Sequence, residues 1–315
     1  MRILFMGTPD FALFSLRALV ENGKEIVGVV TQPDKPKGRG YTLTPPPVKV
    51  YALEQNIPVY QPATLRGEEF AALLDTLAPD LIVVAAYGKI LPASVLDYPR
   101  YGCVNVHGSL LPEYRGAAPM QRAIIDGKRE TGITTMMMDV GLDTGDMLLR
   151  EVVAIEPNDN FETIHDKLGA CGADVLLRTI EQIENGALTR TPQDGALATY
   201  AAKIEKSDCI LDFTRTAEQI HDQVRGLSPM PLAFTYTPDG KMLKVVATEV
   251  VSTEETGAVA GTVTSVRDGR IVVACGKGSL ALLSVLPEGK KRMSAADFIN
   301  GRRIAVGDVL GAQKD

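Results

Sequence analysis

The 315-residue sequence contains no tryptophan, three histidines, four cysteines and only 5% aromatic residues. Each scarcity excludes something. Cys103, Cys171, Cys209 and Cys275 are far apart and form no C-x-x-C pair, so neither a disulfide framework nor a zinc site is expected, and they read as ordinary thiols of a reducing compartment. No apolar run approaches the ~20 residues that cross a bilayer, and the opening MRILFMGTPD is too short in apolar residues for a signal peptide. A cytoplasmic, non-membrane protein is expected. Gly7-Thr8-Pro9-Asp10 is neither G-x-G-x-x-G nor a Walker A loop, so a nucleotide cofactor is not supported. Ser109 lies in no G-x-S-x-G elbow and is expected to cap a following helix.

What is present indicates two domains at about 150 residues each. Apolar residues make up 45% and charged residues 23%, as in globular proteins. In the first part, strand-length apolar runs alternate with helical spacing. Arg2–Met6, Glu25–Thr31, Leu81–Ala86, Cys103–His107 and Gly132–Met138 read as strands. Phe11, Phe14, Ala18 and Leu19 recur at helical spacing before Gly23, and a long helix is expected over 160–184. This alternation predicts an α/β domain, 1–188, with a Rossmann-like parallel sheet. Residues 189–207 are weakly patterned and read as a linker. From 208 to 315 a helix near Ala217–Val224 precedes short strands separated by Asp239-Gly240 and Asp268-Gly269, which predicts a small antiparallel barrel or sandwich. Net charge is −6, but residues 208–315 balance at zero and carry Lys290-Lys291-Arg292. A run of this kind is either a solvated face or a phosphate-binding patch.

Ligands of parallel α/β sheets bind beyond the carboxyl ends of the strands. There, in the run Gly102–Pro112, alternation puts Asn105 and His107 on one side of a strand. A carboxamide and an imidazole that converge can hold an oxyanion and move a proton; the competing reading is a core histidine bonded to a carbonyl. The loop Met138–Asp146 holds Asp139, Asp143 and Asp146. One of them can fix the His107 tautomer, or all three can simply cap local amides. The spacing is not that of an EF-hand, and no metal is expected. The segment Pro33–Val50 is a long loop with four basic residues, two glycines and five prolines. Its Lys35, Lys37 and Arg39 can meet phosphates, or the loop can be a bare surface excursion.

At Asn105-Val-His107-Gly-Ser-Leu-Leu-Pro-Glu-Tyr-Arg-Gly-Ala-Ala-Pro119, Glu130-Thr-Gly-Ile-Thr and Gly141-Leu-Asp143-Thr-Gly-Asp146 the chain resembles the folate-dependent formyltransferase superfamily. Gly7-Thr-Pro-Asp-Phe11, Thr31-Gln-Pro-Asp34, Gly38-Arg-Gly40, Pro47-Val-Lys-Val50, Ala86–Pro92 and Pro287–Met293 are similar to its branch that acts on charged initiator tRNA. The resemblance covers essentially the whole chain. It implies formyl transfer from 10-formyltetrahydrofolate, as co-substrate, to the α-amino group of methionine on the initiator tRNA, with no metal. It also implies a catalytic set of Asn105, His107 and Asp143. Asn105 and His107 would stabilise the oxyanion, and Asp143, with a water, would orient His107 and relay protons to the leaving folate nitrogen. The folate would lie against Tyr87, Gly88, Lys89, Ile90, Leu91 and Pro92, the stretch Ser109, Leu110, Leu111 and Pro112, and the loop at Asp139. Lys35, Lys37 and Arg39 would meet the acceptor end of the tRNA, and an OB-like C-terminal domain would touch its backbone through Lys290, Lys291 and Arg292. A monomer is expected. The chain departs from the pattern at Ser228-Pro-Met-Pro231, where many relatives carry Pro-Trp-Pro; Met230 is expected to fill the same apolar space. The competing readings are a sugar-nucleotide amine formyltransferase, a formyltetrahydrofolate hydrolase and a non-catalytic folate- or RNA-binding module.

Overall fold

The computed structural model describes residues 1–37 and 42–311, with all their side chains except those of Lys37 and Thr42. The chain forms two compact units. The first comprises 1–119, 131–154 and 165–201, and the second 120–130, 155–164 and the residues from 202 onward.

The first unit is built on a seven-stranded sheet. Its order is Met147–Ala154, Glu130–Met137, Cys103–His107, Leu81–Ala85, Arg2–Gly7, Glu25–Val30, Val59–Tyr60. The five strands from Cys103–His107 to Val59–Tyr60 are parallel to their neighbours. Ile3 to Met6 and Leu81 to Val84 are buried residue after residue, because helices cover both faces of a parallel sheet and leave no solvent side for alternation. The sheet is not wholly parallel, however. Glu130–Met137 runs antiparallel to Cys103–His107, with His107 opposite Thr134 and Asn105 opposite Met136. Only the short turn after helix Pro119–Ile125 separates it from that helix, and burial patterns are the same for either direction of pairing. Strand order reverses around Arg2–Gly7: the chain moves outward through Glu25–Val30 to Val59–Tyr60, then returns to lay Leu81–Ala85 on the other side. The crevice at that switch point lies beyond Gly7 and Ala85.

Helix Asp10–Glu21 starts within this crevice, and Phe161–Glu184 is the expected long helix. The two helices meet at His165. Its Nε2 lies 3.5 Å from Asp10 Oδ1 and its Nδ1 lies 2.9 Å from Asp166 Oδ1, with the rings of Phe11 and Phe14 alongside. The hydrogen bond to Asp10 raises the imidazole above its usual range despite burial, and the bond from His165 holds the Asp10 carboxyl below its own. A group whose folded pKa is raised contributes stability below its unfolded value of about 6.5 and loses it as pH rises through the folded value. The stability lost by His165→Gln, read as the difference in thermal midpoint from wild type, should therefore shrink as pH rises above the unfolded value of about 6.5. An unchanging difference would mean the pair carries no proton linkage.

Residues 189–207, read from the sequence as a linker, are hydrogen-bonded along their length. Thr191 bridges Met147, Tyr200–Ala201 pairs in parallel with Arg115–Gly116, and Lys206–Cys209 forms a 3-10 turn. In the second unit, helix Ala217–Leu227 opens with a capping box in which Thr216 and Gln219 satisfy each other's backbone amides. Its Ile220, Val224 and Leu227 pack against an antiparallel sheet ordered Ala233–Tyr236, Met242–Ser252, Ser279–Pro287, Arg270–Ala274, Val263–Arg267, with Met293–Ser294 paired to Ser279–Pro287. Both residues of the Asp268-Gly269 turn have positive φ, 51° and 71°, which is why this pair suits a two-residue hairpin. Residues 307–311 bond both edges of the sheet: Gly307 and Asp308 to Val263, Leu310 to Gly261, and Gly311 to Tyr236. Met230 does not fill an apolar space as expected; its side chain is 71% exposed beside Pro231.

Candidate active site

The site grows from the strand Cys103–His107. Side chains alternate along it, so Asn105 and His107 share the face of Cys103, which packs with Tyr87, Leu91, Val95 and Leu96. Val106 faces the other way, where a Cβ added at Gly172 of the long helix would meet its Cγ1 at 3.0 Å. Asn105 is 9% and His107 6% exposed, so each is largely withdrawn from water yet not sealed from it.

His107 is anchored through one ring nitrogen and faces a carboxylate with the other. Nε2 lies 2.9 Å from the Tyr114 carbonyl oxygen. A carbonyl only accepts, so Nε2 carries a proton in every state of the ring and Nδ1 is the atom that exchanges one. Nδ1 lies 3.7 Å from Asp143 Oδ2, and that oxygen accepts from the Gly116 amide at 2.8 Å. The core-histidine reading is thus half right: the ring is buried and bonded to a carbonyl, but its second nitrogen faces a carboxylate.

Asp143 reaches this position from the loop after Glu130–Met137, with φ +52°, a left-handed conformation that costs a non-glycine residue of order 1–3 kcal/mol. The loop is pinned. Asp139 Oδ1 accepts from Gly141 N at 3.0 Å and from Thr144 Oγ1 at 2.6 Å. A Cβ at Gly145 would run into the Met137 carbonyl oxygen, so no side chain fits there. The carbonyls of Asp143 and Gly145 both accept from Gln193 Nε2, at 2.9 and 2.7 Å. Asp139 and Asp143 have different partners, Asp139 being committed to its own loop and Asp143 to Gly116. Among the described residues no group of three or more His, Cys, Asp or Glu is gathered as a metal ligand set.

Cys103 shares the strand but not the chemistry. Its Sγ faces the carbonyls of Val95 and Leu96, and burial pushes the thiol up to about 12, so it supplies no thiolate near neutral pH.

The folate candidates divide. Tyr87 is buried, its Oη has no hydrogen-bond partner among the described residues, and burial pushes its phenol up to about 12. Its carbonyl oxygen accepts from Thr8 Oγ1 and Gln32 Nε2, both at 3.2 Å, across the switch-point crevice. Gly88 has φ +84° and turns the chain. Lys89 donates to the carbonyls of Pro62 and Ala63, Leu91 is buried and Pro92 precedes helix Ala93–Leu96. Ile90, Val140 and Leu142 are 81%, 76% and 55% exposed. These are bare apolar side chains on the two loops that the resemblance assigns to folate.

The run Ser109–Pro112 is structural in its side chains. Ser109 does not cap a helix, as none starts there; its hydroxyl is buried and donates to the Glu113 carbonyl at 2.6 Å. Leu110 packs over Gly132, and Leu111 is fully buried with Met136 and Met147. Pro112 follows a cis peptide, and its carbonyl accepts from Thr199 N at 3.4 Å.

Of the basic candidates, Lys35 and Lys37 lie in a short strand paired with Thr42–Thr44, and helix Pro47–Glu54 follows. The described residues of Pro33–Val50 therefore form a strand pair and the start of a helix where a long loop is expected, and Arg39 lies outside the described residues. Lys290 and Lys291 are exposed on the turn after Ser279–Pro287, and Arg292 donates Nε to Ser284 Oγ at 3.0 Å. Sequence reasoning missed Arg115, which is buried and donates Nε and Nη2 to Gln193 Oε1 at 3.1 and 2.7 Å, and it missed Gln193 itself. Arg115 stands within the quoted Tyr-Arg-Gly run; nothing in the pattern around Gln193 marks it.

Residues 1–180 match the family model described as formyl transferase, and residues 203–303 match that of the formyl transferase C-terminal domain. The chain belongs to the formyl transferase family. It is 50% identical to a protein of Geotalea daltonii named methionyl-tRNA formyltransferase, over 99% of this chain and 98% of that one. It is 49% identical to a protein of the same name from Bacillus subtilis, over 100% and 99% of the two chains. Among solved structures, the fold is shared with an N-formyltransferase from Helicobacter canadensis, in complex with folinic acid and dTDP-3-aminofucose, at TM-score 0.67 and 18% identity, over 89% of this chain and 98% of that one. It is also shared with HypX from Aquifex aeolicus, in complex with tetrahydrofolic acid, at TM-score 0.64 and 17% identity, over 97% of this chain and 48% of that one.

Proposed function

We propose that this protein transfers the formyl group of 10-formyltetrahydrofolate to the α-amino group of methionine carried by initiator tRNA, and that Asn105, His107 and Asp143 do the chemistry. The nature of the acceptor rests on the full-length similarity to methionyl-tRNA formyltransferases. The observation that carries the chemistry is the His107–Asp143 approach of 3.7 Å at the end of the strand that bears Asn105.

In this reading the C–N bond to the amine forms as the C–N bond to folate breaks, and the amine's proton ends on the folate nitrogen. Asn105 donates from its carboxamide to the formyl oxygen as charge grows there. His107, already committed to Tyr114 through Nε2, uses Nδ1 to hold and pass on the proton. The Asp143 carboxylate faces Nδ1 across 3.7 Å and orients the ring, and the Gly116 amide keeps that carboxylate aimed. The apolar side chains of Ile90, Val140 and Leu142 offer the pterin a water-poor lining, and the backbone of Tyr87–Pro92 offers it polar edges. We read the second unit as an OB-like barrel that meets tRNA phosphates through Lys290, Lys291 and Arg292, and assign Lys35, Lys37 and Arg39 to the acceptor end by the resemblance of that segment.

Purified enzyme given 10-formyltetrahydrofolate should formylate charged initiator tRNA and leave a dTDP-amino sugar untouched. Preferred formylation of the sugar nucleotide, or release of formate with no amine present, would reject this function.

A further inference from the structure

Three successive residues hold both halves of the proton-handling pair. The Tyr114 carbonyl holds His107 Nε2, the Arg115 guanidinium holds Gln193 Oε1, and the Gly116 amide holds Asp143 Oδ2. The stretch around Gln193 braces the same three: Thr199 Oγ1 accepts from Tyr114 N, the Thr199 carbonyl accepts from Arg115 N, and Ala201 pairs with Gly116. Gln193 closes this circuit onto Asp143 by taking the carbonyls of Asp143 and Gly145. Its amide has one possible orientation. A guanidinium only donates, so Oε1 must face Arg115 and the NH2 must face the two carbonyls. Gln193 thus captures the backbone of the one loop residue held at φ +52°. A left-handed non-glycine persists only where its surroundings over-determine it.

We propose that Gln193 is a positioning residue: oriented by Arg115, it fixes the left-handed turn that sets the distance from Asp143 to His107. It does not touch the reacting atoms. The proposal rests on the catalytic reading of Asp143 given above. Without Gln193 the turn relaxes, and a displacement of about 1 Å of a group in the catalytic set costs on the order of 10²-fold in rate.

The test is a double-mutant cycle in steady-state formylation. Gln193→Ala should lower kcat by about 10²-fold, with KM for both substrates within about threefold, because ground-state binding is untouched. Gln193→Glu keeps the side-chain length and the oxygen for Arg115 but has no donor for the two carbonyls; it should lose a similar factor while melting like wild type. In an Asp143→Ala background neither change should cost more than about twofold. An equal loss in both backgrounds would make the role merely structural and overturn the proposal, as would a wild-type kcat for Gln193→Glu beside an impaired Asp143→Ala. Full activity of Asp143→Ala alone would instead reject the reading of Asp143 itself.

Discussion

His107→Ala should lower the single-turnover rate of formyl transfer by about 10³-fold, within the range general acid–base groups supply, while folate affinity changes by no more than a few-fold. The reasoning is geometric. His107 lies at the carboxyl end of its strand, with Nε2 locked on Tyr114 and Nδ1 facing Asp143. Truncation removes the atom proposed to accept and return the proton, and it takes away the ring that faces the Asp143 carboxylate. The apolar side chains assigned to folate, Ile90, Val140 and Leu142, lie on other loops and keep their places. Rapid-quench formylation of charged initiator tRNA, beside equilibrium binding of a folate analogue, separates the two quantities. A rate within threefold of wild type would remove His107 from the mechanism.

Asn105→Ala carries the second largest effect, about 10²- to 10³-fold in kcat, the cost of losing one donor aimed at a developing oxyanion. A donor that engages only the charged form lowers kcat and kcat/KM together and leaves KM alone. If the substitution raised KM at constant kcat, Asn105 would be binding the ground state. Because Asn105 lies opposite Met136 in the antiparallel pair, its thermal midpoint must be measured as well, to separate a loss of chemistry from a loss of fold.

Much of this geometry could be read from the chain because periodicity carries it. The continuous run Leu81–Ala85 is buried throughout, as its lack of polar alternation required. Asn105 and His107 share a face because a strand has a period of two. The Asp-Gly pairs marked hairpin turns because few residues tolerate positive φ. The direction of Glu130–Met137 was not legible, since an antiparallel and a parallel partner bury the same side chains. Nor was the placement of residues 189–201. Thr191-Pro-Gln-Asp-Gly is polar and aperiodic, so it resembles a linker, and its bonds to Arg115 and Asp143 are long-range contacts that no local pattern records. Serine's preference for helix caps points to that role for Ser109; in the structure the half-buried Glu113 carbonyl accepts from its hydroxyl instead. Met230 looked like core filler by its chemistry, yet it stands in solvent between two prolines.

The most direct measurement is an experimental structure of the enzyme with a non-reactive formyl-folate analogue bound. The formyl oxygen should lie within about 3.2 Å of Asn105 Nδ2, with His107 Nδ1 directed at the folate nitrogen that bears the formyl group and Asp143 Oδ2 still on the Gly116 amide. A formyl group seated beyond hydrogen-bonding reach of both Asn105 and His107 would contradict the assignment of this strand end as the place where the one-carbon unit changes hands.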